Sequence, residues 1–483
     1  MTDWFSWIGA MSRWQQQWLG ENWAELIAVV MLTLAIITTV HILLHKRDTR
    51  AAATWVGLVW LVPAVGFLIY LLLGVNRIQR RARSLTGGEL DAVKGWRVAA
   101  EPDHGLPHWQ GMSRLLTELT GWPLTAGNEV EPLSAAEAME TMVTAVQGAQ
   151  QSVYLSTYIF GNDEAGKPLV EALIQAHQRG VVVRVLLDGF GSWYSLPPVT
   201  RRLRRAGVRV ERFLYSLAPW RMPYLNLRNH RKLLVIDRHY GFVGGMNIRA
   251  GYIASPPVIN DVHFRVRGPV IGHFLHGFAA DWQFASHELV DDSYSGPASV
   301  GNLFCRGISA GPDADFDKRR LALLAAIGRA DSSVRLVTPY FVPDQALQTA
   351  LQLAALRGVR VEIVLPAHNN LPLVHWASLH LLSWLAREGC EIYLSVPPFD
   401  HSKLMTVDGV WSLVGSGNWD ARSLRLNFEY DMECYSREFA ERLNRLIDVR
   451  QSGAQRLTLP QLKGQSLLLR LRNALAHLLA PYL

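Results

Sequence analysis

The sequence predicts an α/β protein built from two similar lobes, each a mixed sheet flanked by helices. The lobes are related by a pseudo-twofold axis and preceded by two transmembrane helices. Three observations predict this. One pattern occurs twice at identical internal spacing, His230–Asn247 and His401–Asn418. The segments around each copy match strand for strand and helix for helix. Two long apolar runs without Asp, Glu, Lys or Arg lie near the N-terminus.

Those runs, Leu26–Leu44 and Ala51–Val75, each reach the ~20 residues that cross a ~30 Å hydrocarbon layer as a helix. Pro63 falls inside the second, where it predicts a kink that membrane helices tolerate. "MTDWFSWIGAM" has no basic start, and the runs are too long and too late for a cleaved signal peptide. They are expected to be permanent anchors over residues 23–76. Before them, Trp4, Trp7, Ile8, Met11, Trp14 and Trp18 recur at helical spacing, which predicts an interfacial helix over 1–22. The other use of that stripe is packing within a homo-oligomer. A hairpin places Arg13, Arg77, Arg80, Arg81 and Arg83 on one side against Lys46, Arg47 and Arg50 on the other. Five against three puts the bulk of the chain in the cytoplasm by the positive-inside rule.

After a basic linker, 77–130, strands and helices alternate, the signature of an α/β fold. "SVYLSTYIF" (152–160) matches "SVRLVTPYF" (333–341), and "LIQAHQRGVVVRVLLD" matches "LQLAALRGVRVEIVLP". "RRAGVRV" and "AREGCEI" each close a further helix before the motif. A duplication with a period of roughly 170–180 residues gives whole lobes rather than a solenoid: 131–290 and 291–450, with an amphipathic segment, 451–483, after them. In that segment Leu467, Leu468, Leu471, Leu475, Leu478, Leu479 and Tyr482 share one helical face, with Arg470 and Arg472 beside it. It reads as a second interfacial helix. The alternative is a helix docked on the core. "SLAPWRMPYLNLRN" (216–229) mixes Trp220, Met222, Tyr224 and Leu225 with Arg221 and Arg228. It reads either as a loop dipping into the bilayer or as one packed on the second lobe.

The motif itself runs His, x, Lys, four residues, Asp, six residues, Gly-Gly/Ser, x, Asn. Five fixed residue types match by accident roughly once in 10 million trials, so two copies are not chance. "KLLVID" and "KLMTVD" read as strands. Residues two apart on a strand share a face, so His230 points with Lys232, and His401 with Lys403. Asp237 and Asp408 complete the His-Lys-Asp sets at the strand ends, where the turn tilts them away from the shared face and gives them a mainly structural part. The returning strand ends in small residues, Gly245 and Ser416, that let backbone approach a ligand, followed by Asn247 and Asn418.

Two such sets in one cleft suit phosphodiester chemistry. In-line displacement needs a nucleophile on one side of phosphorus and a proton donor for the departing oxygen on the other. Two histidines supply both through a covalent phosphohistidine. Lys232, Lys403, Asn247, Asn418 and Ser416 would bind the non-bridging oxygens. Each imidazole needs an acceptor on its other nitrogen, and Asp261 and Glu429 follow the motifs as candidates. The reading requires no metal and no cofactor.

Composition narrows the partner. The net charge is +7 with a pI near 9.4, which favours an anionic partner. Mean hydropathy is +0.08. The three cysteines are scattered without a CxxC pair, which excludes a disulfide framework and a zinc site. No aromatic-basic stacking platform for single strands is legible, so nucleic acid is not expected.

The doubled His-Lys-Asp motif with its trailing Gly-Gly/Ser-x-Asn resembles the phospholipase D superfamily. With the two spans, "NHRKLLVID", "TPYFVPD" and "SLRLNFEY", the chain is similar over nearly its whole length to bacterial cardiolipin synthases of the long, two-span branch. "PAHNNLPLV" (366–374) departs from relatives that carry a basic then an acidic residue there. The resemblance implies transfer of a phosphatidyl group between two phosphatidylglycerols, giving cardiolipin and glycerol. It implies His230 as nucleophile and His401 as acid then base, although the bare spacing does not rank the two. It also implies anionic phospholipid partners and residence in the bacterial inner membrane. The rival reading is a membrane-anchored phosphodiesterase of the same superfamily, with water or another alcohol as acceptor. A catalytically silent lipid-binding scaffold is the reading from another class, and the two intact motifs argue against it.

Overall fold

A computed structural model of the chain describes residues 2–46, 49–74, 102–195, 197–214, 227–254, 258–291, 299–312 and 315–480. It divides into two compact units, one formed by the described residues up to 74 and the other by those from 102 onward.

In the first unit one helix runs unbroken from Thr2 to His45. The interfacial segment expected over 1–22 is therefore continuous with the apolar segment, since nothing between them stops a helix; the side chains of residues 2–22 lie outside the described residues. Trp23–His45, 23 residues with a hydropathy of 2.6, is long and apolar enough to cross a membrane. The second apolar run differs from expectation. It is cut at Pro63, which lacks the N–H that would continue the ladder, into helices Thr49–Leu61 and Pro63–Ile69 and a π turn, Tyr70–Gly74. Neither helix alone reaches the length of a span. They pack back on the first helix through Ala35, Ile42, Trp55, Val59 and Tyr70, with Tyr70 Oη 2.8 Å from His41 Nδ1.

The second unit is organised by one long mixed sheet. Its first half contributes β1 (Thr125–Ser134), β2 (Ser152–Thr157), β3 (Val182–Asp188), β4 (Arg209–Phe213), β5 (Arg228–Asn229), β6 (Leu233–Ile236), β7 (Tyr240–Gly244), β8 (Ile259–Asn260) and β9 (Val262–Arg267). The second contributes β10 (Leu303–Ala310), β11 (Ser333–Val337), β12 (Arg360–Pro366), β13 (Glu391–Ser395), β14 (Phe399–Asp400), β15 (Leu404–Val407), β16 (Trp411–Gly415), β17 (Asn427–Tyr435) and β18 (Gln455–Leu457). Outward from an antiparallel β1–β10 seam the order is β9-β7-β6-β2-β3-β4 on one side and β17-β16-β15-β11-β12-β13 on the other. The same sequence of hairpins and parallel crossovers is thus used twice. β18 adds an edge strand beyond β13.

Local rules explain the elements. Ser134 ends β1 and caps the helix Ala135–Gly148 in a capping box with Glu137. β2, β6 and β15 are buried throughout, as expected of strands covered on both faces.

Two boundaries shift from the sequence expectation. The first half begins at β1, not at residue 131. Much of the expected linker is packed core of the second half: Trp109, Met112 and Leu116 join Ala322, Ile327 and Trp411 in one cluster, each large apolar side chain contributing about 1.5–3 kcal/mol. Trp109 stacks on Trp411 at 6.5 Å, and Arg306 Nη1 donates to the Ser113 carbonyl at 2.9 Å. The three cysteines are buried free thiols.

The C-terminal helix, Leu467–Leu478, buries Asn473 and Ala476 toward the helix Pro372–Arg387, while Leu467, Leu468, Leu471, Leu475, Leu478 and Leu479 stay exposed. It is docked on the core and still presents the apolar face read from sequence; Tyr482 lies outside the described residues. So does nearly all of 216–229, leaving the bilayer or packing role of that loop undescribed.

Candidate active site

Each motif is tied to the opposite half by a two-residue strand. β5 runs parallel to β17, Arg228 opposite Asn427 and Asn229 opposite Phe428. β14 pairs in the same way with β8. The ladder continues one step further: the His230 amide donates to the Phe428 carbonyl at 2.8 Å, and the His401 amide to the Asn260 carbonyl at 2.7 Å. The next residue on each partner strand is a carboxylate, so registry alone brings it to the imidazole. Glu429 Oε2 lies 2.9 Å from His230 Nδ1, and Asp261 Oδ2 lies 2.9 Å from His401 Nδ1. Each half holds the histidine of the other.

The lysines follow from strand period. Lys232 Nζ donates to the His230 carbonyl at 2.7 Å. Lys403 Nζ sits 3.1 Å from His401 Nδ1 and 3.3 Å from Nε2. Asn247 and Asn418 donate at 3.3 Å to Tyr252 Oη and Ser423 Oγ, while their Oδ1 atoms are buried without a partner. Tyrosines that sequence reasoning missed line the same place. Tyr158 lies 5.1 Å from the His230 ring, and Tyr340 lies 6.1 Å from the His401 ring. The signal was only partial: both follow the matched strands, but Tyr158 falls opposite Pro339 and Tyr340 opposite Ile159, one place apart. Asp188 was also missed: it closes the end of β3 and accepts from the Asn229 amide at 2.7 Å.

Four expected residues sit elsewhere than the chemistry. Asp237 accepts from the amides of Gln150, Gln151 and Ser152 at 2.7–2.8 Å, and Asp408 from Asp331, Ser332 and Ser333. Both are in the left-handed region, φ 49 and 53, which Asp tolerates better than most residues. They tie down the loop entering β2 or β11 at the far end of the strand. Ser416 donates to Glu429 Oε2 at 2.6 Å and accepts from the Tyr430 amide at 3.0 Å, so its hydroxyl holds the orienting carboxylate rather than facing a ligand. A Cβ on Gly245 would stand 2.9 Å from Asp261 Oδ2. That glycine makes room for the crossed carboxylate.

Burial dominates the electrostatics. It lowers the His230 pKa to about 4 against the opposing pull of Glu429, and holds His401 well below its usual value, aided by Lys403 and Lys232. Burial also brings Lys232 down to about 7 and Lys403 to about 8. Asp261 is raised to about 6 by burial. For Glu429 burial pushes up, but His230, Lys232 and Ser416 outweigh it and bring it to about 2. The imidazoles are therefore neutral, their Nδ1–H groups facing carboxylates and Nε2 left as the lone-pair nitrogen. Burial weakens the charge of the site's lysines despite the carboxylates around them, and an arriving phosphodiester anion would hold them protonated.

Residues 142–255 and 323–449 match the family described as "Cardiolipin synthase, PLD-like domain", and 33–74 match "Phospholipase_D-nuclease N-terminal". The chain is 30% identical to a cardiolipin synthase of Oceanobacillus iheyensis over 471 residues, covering 94% of this chain and 98% of that one. It is 31% identical to a cardiolipin synthase of Geobacillus kaustophilus, covering 97% and 95%. Among solved structures, the phosphatidylserine synthase of Haemophilus influenzae superposes with a TM-score of 0.61 at 15% identity, over 77% of this chain and all of that one, which is a likeness of fold.

Proposed function

Since the chain belongs to the cardiolipin synthases with a phospholipase D-like domain, we propose that it transfers a phosphatidyl group from one phosphatidylglycerol to another, giving cardiolipin and glycerol. The observation that carries the mechanism is the crossed pairing of His230 with Glu429 and His401 with Asp261, which gathers two His-Lys sets into one buried cluster. The bound phosphodiester anion raises the proton affinity of His401, which takes a proton from solvent onto Nε2. His230 Nε2 then attacks phosphorus, and the bond to the headgroup glycerol oxygen breaks as the His401 imidazolium gives that oxygen its Nε2 proton. The phosphatidyl group is then held on His230 by a P–N bond. The hydroxyl of a second phosphatidylglycerol passes its proton to His401 and attacks, the P–N bond breaks, and cardiolipin leaves with both histidines restored. Lys232 and Lys403 balance the charge on the non-bridging oxygens, and the amides of Asn247 and Asn418 donate to them. Glu429 and Asp261 fix the tautomer of each ring.

The two lobes are related by a pseudo-twofold axis, a reading that the doubled strand order supports. The N-terminal unit serves as a membrane anchor that crosses twice, its second crossing kinked at Pro63, with the catalytic unit on the cytoplasmic side. The exposed leucines of the C-terminal helix and the neighbouring Arg470 suit contact with an anionic leaflet. Full-length similarity to synthases does not favour the hydrolytic alternative.

The test uses detergent-purified protein and labelled phosphatidylglycerol, with wild type, His230→Ala and His401→Ala compared. Glycerol release with a four-chain lipid, abolished by either substitution, supports the reading. Phosphatidic acid as the main product would overturn the synthase assignment.

A further inference from the structure

The two motifs are offset by 171 positions (401 − 230), and at that offset the hydroxyls around the site are placed differently. Ser416 corresponds to Gly245, and Ser423 to Tyr252. The first difference serves Glu429. Ser416 Oγ donates at 2.6 Å to Oε2, the oxygen that faces His230 Nδ1, and Asn427 Nδ2 donates to Oε1 at 3.2 Å. Gly245 has no hydroxyl to give Asp261.

The second difference serves His401. Tyr252 and Ser423 lie on matching short helices, Ala250–Ile253 and Ala421–Arg425. Each accepts from the motif asparagine of its own half, Asn247 Nδ2 to Tyr252 Oη and Asn418 Nδ2 to Ser423 Oγ, both at 3.3 Å. The serine goes no further. The longer tyrosine carries its oxygen across to the other half, where Oη lies 3.3 Å from His401 Nδ1 and the two rings meet edge to face, 6.0 Å apart. The Nδ1–H of His401 therefore has two oxygens, Asp261 Oδ2 at 2.9 Å and Tyr252 Oη. That of His230 has Glu429 Oε2 alone among the described residues.

The two histidines have different work to do. His230 must keep Nε2 bare for attack, which one firm acceptor on Nδ1–H secures. His401 must hold a proton on Nε2 until the glycerol oxygen departs, with Lys403 Nζ only 3.1 Å from its other nitrogen. A cation that close opposes the imidazolium, and each acceptor on Nδ1–H favours it. His401, Asp261, Asn247 and Tyr252 are all buried, so bulk water does not replace a missing oxygen. Burial, then Asp261, raises the Tyr252 pKa, so the phenol keeps its own proton and acts as a hydrogen-bond partner rather than a base. We propose that Tyr252 is a positioning residue for the acid step: its Oη joins Asn247 of one half to His401 of the other and steadies the imidazolium that protonates the departing oxygen. No bond to Tyr252 forms or breaks.

This rests on the reading of His401 as the acid, and the test keeps the two apart. Full-length, detergent-purified wild type, Tyr252→Phe and Ser423→Ala are compared in single turnovers on two substrates. Phosphatidylglycerol has a glycerol oxygen that needs a proton to leave; phosphatidyl-p-nitrophenol has a phenolate that leaves without one. The readout is the ratio of glycerol release to p-nitrophenolate release, in which any loosening of the asparagine amide cancels. In Tyr252→Phe that ratio is expected to fall about tenfold, as for one lost bond to a charged group. In Ser423→Ala it is expected to stay at the wild-type value. Equal slowing of both substrates by Tyr252→Phe, or slowing of neither, overturns the proposal. So does the same fall in ratio for Ser423→Ala. His401→Ala and His230→Ala test the parent reading separately. With His401 as acid, His401→Ala keeps a burst of p-nitrophenolate and His230→Ala has none; the reverse pattern removes the ranking on which the proposal stands.

Discussion

Asp281 and Arg450 do the same work with opposite charge. Each lies on the helix that follows the last shared strand of its half, Ile271–Ser286 after β9 and Arg437–Gln451 after β17. Each bridges both chain neighbours of a motif histidine. Asp281 accepts from Asn229 Nδ2 and Arg231 Nη1, both at 2.9 Å. Arg450 binds Asp400 through Nε at 2.6 Å and Ser402 through Nη2 at 2.9 Å. The duplicated halves thus keep a clamp behind each histidine while its charges are exchanged. Arg231 extends the first clamp, since its Nε donates to the carbonyl of Glu429 at 3.2 Å and so links His230 to its orienting carboxylate from behind.

Removing one member of the first clamp should cost stability. Arg231 and Asp281 are both buried, and Asp281→Ala takes away the carboxylate 2.9 Å from the guanidinium, leaving Asp315 at 3.7 Å. The expected loss is about 3–5 kcal/mol, read as a fall in unfolding midpoint. Pairing it with Arg231→Met should cost clearly less than the sum of the single changes. Additive losses in the double-mutant cycle would show that the two do not act as a pair.

Ser416 and Glu429 give a kinetic split. If Ser416 serves the carboxylate, Ser416→Ala should lower kcat severalfold with KM nearly unchanged, because only the group behind His230 is disturbed. Glu429→Gln should lower kcat by about 100-fold or more, the usual reach of acid–base and tautomer control. A Ser416→Ala enzyme with raised KM and normal kcat would return that hydroxyl to the substrate.

The doubled site was legible where a short-range rule governs it. Period two put His230 with Lys232, and the turn at each strand end set the aspartates apart. What the chain could not disclose was the exchange of carboxylates. Asp261 and Glu429 could be named as acceptors, but each lies nearer in sequence to the histidine it does not serve. The pairing is fixed by β5 and β14, two residues each and too short to leave a periodic signal. Likewise the basic stretch before β1 hid Met112 and Leu116, whose apolar stripe has meaning only beside the distant helix Lys318–Arg329. Ser416 was misplaced because small residues at a strand end serve a ligand or a neighbour equally well until the neighbour is known.

Asp237 and Asp408 should prove to be stabilising residues. Each accepts three backbone amides, so Asp237→Ala forfeits bonds worth about 1 kcal/mol each and puts Ala in a left-handed conformation costing about 1–2 kcal/mol more. The loss should appear in the unfolding free energy and in the yield of folded protein, with turnover per folded molecule little changed. A 100-fold fall in kcat for well-folded Asp237→Ala would make it a participant in the chemistry.

The pH dependence should separate the empty site from the occupied one. In the folded protein Lys232 has a pKa of about 7 and Lys403 of about 8, both depressed first by burial. Above those values the free enzyme loses the cations that receive phosphate, so kcat/KM, which reports free enzyme, should fall on an alkaline limb between pH 7 and 8. The bound phosphodiester holds the lysines protonated, and the limb in kcat should lie at higher pH. Stability has its own window. His230 binds its proton more weakly folded, about 4 against 6.5, so the unfolded chain takes up more protons between these values. Its contribution, on the order of 3 kcal/mol, is complete above pH 6.5 and lost as pH falls toward 4. Asp261, raised to about 6 by burial, opposes part of it, because it favours the folded state as pH falls from 6 toward 3.8. His230→Gln removes the histidine's share alone. Melting midpoints between pH 4 and 6.5 should therefore fall less steeply in His230→Gln than in wild type. Parallel curves would mean that His230 is as easily protonated in the folded protein as in the unfolded chain, contradicting a neutral imidazole held ready for attack.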